Sequence, residues 1–191
     1  GESVRHIIRM REGTMRPGEV YVLNDPYHGG THLPDVTVIT PVFGEDGDDP
    51  EVLFYVASRG HHADIGGITP GSMPPDSRTI DDEGILLDNV LLVRDGRFLE
   101  AEMITRLEAG DHPARNPSQN IADLKAQVAA NAKGVQELRR MVEHFGLDVV
   151  HAYMGHVQDN AEESVRRVLR HLRSGEFRYR LDEGGDVAVR I

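Results

Sequence analysis

A change in apolar period near Asn116 constrains this chain more than any other feature. Downstream of it, Ile121, Leu124, Val128, Ala132, Val135, Leu138, Val142 and Phe145 recur every three or four residues. That spacing lays one apolar stripe along a helix. Gly146 is a natural C-cap, and Asp148 a natural N-cap for a second helix whose stripe runs from Val149 to Leu172. The pair reads as a helical hairpin. Beyond it, residues 177–181 and 187–191 alternate across Asp182-Glu183-Gly184-Gly185-Asp186, a terminal β-hairpin.

Upstream of Asn116 the pattern shortens to strand length. Residues 3–11 read as a short helix with Ser3 as its N-cap, ended by Pro17-Gly18. Residues 19–23, 35–43 and 51–58 read as strands rich in β-branched or apolar side chains. Residues 44–50 form an acidic turn that misses the calcium-loop spacing, because Pro50 stands where that pattern needs Asp or Asn. Residues 85–94 and 97–102 flank Asp95-Gly96, a hairpin signal. The expected fold is therefore α+β: an antiparallel-rich sheet region over 1–112, a helical hairpin over 113–173 and a terminal β-hairpin over 174–191. All three are expected to be parts of one larger domain in a fragment of a longer chain.

Two Gly-rich loops carry the chemistry. Asn24-Asp25-Pro26-Tyr27-His28-Gly29-Gly30-Thr31-His32-Leu33-Pro34-Asp35 places two His and two Asp in one loop. Arg59-Gly60-His61-His62-Ala63-Asp64-Ile65-Gly66-Gly67 repeats the theme. If the first three strands form an antiparallel meander, as their short connections suggest, both loops meet at one edge of the sheet. The chain has no cysteine, so a metal there must sit on His and carboxylate. His32, Asp35 and a histidine of the pair His61/His62 supply two nitrogens and an oxygen. That set suits a divalent zinc, manganese or iron with positions left for water and substrate. Adjacent residues of an extended chain face opposite ways, so one of the pair is a ligand and the other a neighbour. Asp25, His28, His62 and Asp64 are the catalytic candidates, orienting ligands or moving protons. A plain reading as turn formers and surface histidines is outweighed by their density in two short loops. Residues 65–77 form a Gly/Pro loop that either lies on the surface or covers this site.

The formal charge of −11 argues against a nucleic-acid partner. No run of about 20 apolar residues is present, so no membrane partner is expected and the cytoplasm is the default location. No phosphate-cradling Gly loop, Rossmann fingerprint or Ser-His-Asp motif is visible.

These residues resemble a known family. Residues 22–35 and 59–67 are similar to its signature, as are Pro70-Gly71-Ser72-Met73-Pro74-Pro75, Asn120-Ile121-Ala122-Asp123-Leu124-Lys125-Ala126-Gln127 and Gln158-Asp159-Asn160-Ala161-Glu162. The family is the hydantoinase B family, which includes N-methylhydantoinase B subunits, the C-terminal half of 5-oxoprolinase, and the large subunits of acetone and acetophenone carboxylases. The resemblance implies a hetero-oligomer with a hydantoinase A-type, actin-like ATPase subunit, through which ATP is used. It implies hydrolysis of an activated small cyclic amide, a lactam or imide; carboxylation and a non-catalytic assembly role are the alternatives. It also implies a metal on His32 and Asp35, with His61 as the further ligand.

Overall fold

The computed structural model describes residues 1–44, 51–182 and 184–190. Apart from Gly44, the expected acidic turn lies outside them. In chain order the elements are α1 (Glu2–Met10), β1 (Val20–Leu23), β2 (Asp35–Phe43), β3 (Val52–His61), α2 (Ile80–Glu83), β4 (Val90–Arg94), β5 (Arg97–Phe98), α3 (Glu100–Leu107), α4 (Pro117–Phe145), α5 (Leu147–His171), β6 (Glu176–Arg180) and β7 (Asp186–Arg190). They fall into two compact units, Gly1–Leu138 and Arg139–Ile191.

In the first unit five strands form an antiparallel sheet in the order β3-β2-β1-β4-β5. Strand alternation sends successive side chains to opposite faces. Val20, Val22, Val36 and Val38 join Leu92, Met103, Leu107, Ile121 and Leu124 in one core cluster. Tyr21, Leu23 and Ile39 join Ile7 of α1 and Met15 in the other. All four residues of β1 are buried, which suits the central strand. Each large side chain removed from water in this way stabilises the fold by about 1.5–3 kcal/mol.

The register fixes where the two Gly-rich loops lie. Leu23 pairs with Thr37, and Asp35 pairs with His61. The end of β1, the start of β2 and the end of β3 therefore share one edge, as a meander requires.

Several local expectations are corrected. The third strand runs three residues further than expected, to His61, so Arg59 and His61 are strand residues with a fixed facing. The strand expected over 85–94 is confined to β4 because Asn89 takes a left-handed φ of 49°. The strand expected over 97–102 stops at Phe98 and a helix follows. Met103 and Leu107 are both buried, and their spacing of four suits a helix. Ser3 lies inside α1, whose N-cap is Gly1. Gly146 ends α4 as expected, with φ 85° and its N–H on the Val142 carbonyl, but it is also the N-cap of α5; Asp148 sits in the first turn instead, where a carboxylate suits the helix dipole.

The core-facing side of α4 also differs from the apolar stripe. Its buried residues are Asn120, Ile121, Leu124, Gln127 and Asn131. Met141 and Phe145 further along are exposed. The amides reach the sheet: Gln127 Nε2 donates to the Val36 carbonyl at 2.9 Å, and Asn131 Nδ2 to the Val38 carbonyl at 3.0 Å.

In the second unit, α5 follows α4 after the single residue Gly146 and buries only Val150. β6 and β7 pair as the expected antiparallel hairpin, with every described residue exposed. Among the described residues, no helix is long and apolar enough to cross a membrane.

Candidate metal centre

Three of the expected residues meet at the shared sheet edge. One ligand atom each from His32, Asp35 and His61 lies within 4.8 Å of the others. His61 Nδ1 is 3.0 Å from Asp35 Oδ1, and His32 Nδ1 is 3.4 Å from Asp35 Oδ2. The pairing of Asp35 with His61 across β2 and β3 sets the first distance. Buried Leu33, between His32 and Pro34, anchors the loop that sets the second.

Two observations test whether these side chains fit a cation. His32 Nδ1 is buried and lacks a hydrogen-bond partner, which is costly unless something else occupies its lone pair. The rings of His32 and His61 are nearly perpendicular, at 83° with centroids 5.1 Å apart. One point in space can therefore lie in both ring planes, where the nitrogen lone pairs point. The set fits a divalent cation.

A second cluster was not expected. His6 of α1 stacks on His28 at 3.9 Å and 16°. His6 Nε2 lies 2.8 Å from Asp88 Oδ1. With Asp88 these rings form another group of potential ligands. Parallel stacked rings do not share an in-plane point, so this group suits a cation less well. His6 escaped sequence reading because it meets its partner across 82 positions.

Asp25 and His28 form a tight pair. Asp25 Oδ2 is 2.6 Å from His28 Nδ1, and its other oxygen accepts from the Tyr27 backbone N–H at 2.8 Å. An ionised carboxylate only accepts, so His28 carries its proton on Nδ1 and leaves Nε2 as the basic nitrogen. The loop comes close to α1 at Gly29. Its φ is +91°, and a Cβ there would fall 2.2 Å from the Ser3 nitrogen. Glycine is needed at that position.

His62 faces the other way from His61. It is 2% exposed, with Nε2 against Gln127 Oε1 at 3.1 Å and Nδ1 against Asn120 Nδ2 at 3.0 Å. Burial holds its pKa below the usual histidine value, although the Gln127 hydrogen bond works the other way. Both ring nitrogens are thus committed to α4. Asp64 organises the following loop. It accepts from the backbone N–H groups of Gly66, Gly71 and Arg115, and pairs with the Arg115 guanidinium at 2.7 Å. Burial raises its pKa, but those hydrogen bonds outweigh that and hold it below the usual carboxylate value. Ser72 closes the same loop by donating to the Gly66 carbonyl at 2.6 Å. The amides Asn120, Gln127 and Asn131 are the scaffold that sequence reading missed. Their spacing along one helix face, with Leu124 between them, was the available signal.

Together these features define a class: an α+β protein whose antiparallel sheet presents a two-histidine, one-aspartate cluster at one edge. The chain belongs to the hydantoinase B/oxoprolinase family, whose sequence profile matches residues 1–191. It is 50% identical over 167 residues to a 5-oxoprolinase of Dictyostelium discoideum, covering 87% of this chain and 13% of that protein. The chain therefore spans only a small part of such relatives. Its fold is similar to that of the ATP-dependent caprolactamase from Pseudomonas jessenii, at a TM-score of 0.81 and 26% identity. That match covers 99% of this chain and 33% of the caprolactamase chain. The fold is also similar to that of nucleotide-free acetone carboxylase, at a TM-score of 0.65 and 16% identity. Here 78% of this chain and 18% of the other are covered.

Proposed function

We propose that this chain is the metal-bearing part of a B-type subunit in an ATP-dependent cyclic amide hydrolase of the hydantoinase and 5-oxoprolinase kind. The carrying observation is the convergence of His32, Asp35 and His61, with the buried His32 nitrogen otherwise unsatisfied. These three side chains would hold a divalent zinc, manganese or iron ion. When bound, such an ion polarises an amide carbonyl or makes water more acidic.

The remaining roles belong to the chain's own side chains. Asp25 fixes His28 with Nε2 free to take a proton, so the pair is the proton-transfer group of this reading. His62 and Asp64 act by position: His62 ties the end of β3 to α4, and Asp64 holds the loop that follows. ATP is used through a hydantoinase A-type ATPase partner, and the working protein is a hetero-oligomer acting on a small lactam or imide. Family membership and likeness to an ATP-dependent caprolactamase support the hydrolase reading.

The test is elemental analysis of the longer protein that contains this stretch, wild type beside His32→Ala/Asp35→Ala. Near-stoichiometric zinc, manganese or iron in the wild type, lost in the variant together with turnover, is the expected result. Full metal content and turnover in the variant would overturn it.

A further inference from the structure

Arg59 has no role in the reading above, and its surroundings are unusual. It stands opposite Thr37 on β3, two positions before His61, which stands opposite Asp35. Residues two apart on a strand share a face about 7 Å apart. The Arg59 side chain therefore rises beside the His32–Asp35–His61 cluster. Its contacts are all neutral: Nε donates to Thr37 Oγ1 at 2.8 Å, and Nη2 to Ser3 Oγ at 2.9 Å and the Gly29 carbonyl at 2.7 Å. Nη1 reaches Thr31 Oγ1 only at 3.4 Å. Among the described residues no carboxylate pairs with it, whereas Arg115 sits on Asp64. Arg59 as a residue is exposed. Four hydroxyl and carbonyl oxygens thus hold a permanent cation in place without neutralising it, at the lip of the site in a chain of net charge −11.

We propose that Arg59 is the oxyanion-recognition residue of this site: its guanidinium binds a carboxylate or phosphoryl group of the substrate while the reacting amide lies at the His/Asp cluster. This rests on the catalytic reading above and narrows it to substrates that carry an anion, either native to the ring or added during activation. With Nε and Nη2 taken by the neutral contacts, Nη1 keeps an N–H to offer either group as one charge-assisted hydrogen bond. The neutral tethers from Thr37, Ser3 and Gly29 fix the plane of the fork before the anion arrives.

The test is calorimetric titration of the longer protein, as wild type, Arg59→Lys and Arg59→Gln. The probes are 5-oxoproline, which carries a carboxylate, 2-pyrrolidinone, the same ring without it, and inorganic phosphate. Metal content is measured on every sample. Loss of a charge-assisted hydrogen bond predicts about 10- to 100-fold weaker binding of the recognised anion to Arg59→Gln, a smaller loss for Arg59→Lys, and unchanged binding of 2-pyrrolidinone. Weakened 5-oxoproline binding identifies the substrate carboxylate as the source; weakened phosphate binding alone identifies the phosphoryl group. Equal binding of both anions to wild type and Arg59→Gln overturns the proposal, as does a matching loss for 2-pyrrolidinone, which marks a structural tether. Metal present throughout with no anion effect refutes only the role of Arg59. Metal absent from the wild type refutes the reading beneath it.

Discussion

Asn24→Asp exchanges one atom and should loosen the whole first loop. Asn24 is fully buried. Its Nδ2 donates to the carbonyls of Leu33 at 2.8 Å and Ile85 at 2.9 Å, and its Oδ1 accepts from the Leu87 N–H at 2.7 Å. Those bonds staple both ends of the His/Asp loop to the segment before β4. The substitution conserves volume, so no cavity term enters. An ionised Asp offers no donor, and two buried carbonyls lose their partners at about 1–3 kcal/mol each, or about 2–6 kcal/mol together. The carboxylate also faces two carbonyl oxygens, which raises its pKa in the folded state above the unfolded value of about 3.9. The folded variant then binds more protons than the unfolded one, so the penalty is smallest below about pH 4 and grows as pH rises. Hydrogen exchange in the longer protein, read at residues 24–35 and 85–87, should quicken at least about 30-fold at neutral pH, the equivalent of about 2 kcal/mol. Exchange within about threefold of wild type at neutral pH would refute the claim that this amide holds the loop.

Two further outcomes follow from the face against α4. Gln127→Leu strands the His62 Nε2–H and the Val36 carbonyl, and should cost about 2–4 kcal/mol by urea unfolding; an unchanged midpoint would show that the amide bridge is dispensable. His62 has a folded pKa below its unfolded 6.5, so the unfolded state binds the extra proton first. Stability should be flat above about pH 6.5 and fall below it by up to about 1.4 kcal/mol per pH unit. Thermal midpoints of wild type and His62→Gln between pH 5 and 8 should diverge on the acid side if burial governs this ring, and run parallel if it does not.

Much of the sheet was legible because burial on both faces leaves unbroken runs of apolar and β-branched residues, as in β1 and β2. The convergence of the two loops followed from strand order alone. What stayed hidden depends on distant partners. Arg59 looks like any strand-end arginine until its hydroxyl and carbonyl tethers are placed, and His6 looks like a surface residue of a short helix. His61 and His62 were distinguishable only once β3 was known to reach His61, because strand facing assigns one ring to Asp35 and the other to α4. The helix at 100–107 was misread because a two-residue strand gives too little pattern to show where it ends.

The amides on α4 have a mechanical consequence. An apolar seam tolerates sliding, because the dispersion attraction given up at one position is recovered at the next. Asn120, Gln127 and Asn131 instead address particular oxygens on β2, β3 and the loop after it, and a hydrogen bond weakens steeply with stretch. The helix is therefore pinned along its axis as well as against the sheet. Asn and Gln are not interchangeable there, since one methylene moves the amide out of reach. A push along this part of α4 would travel undamped into β2 and β3, and so to Asp35 and His61 at their ends.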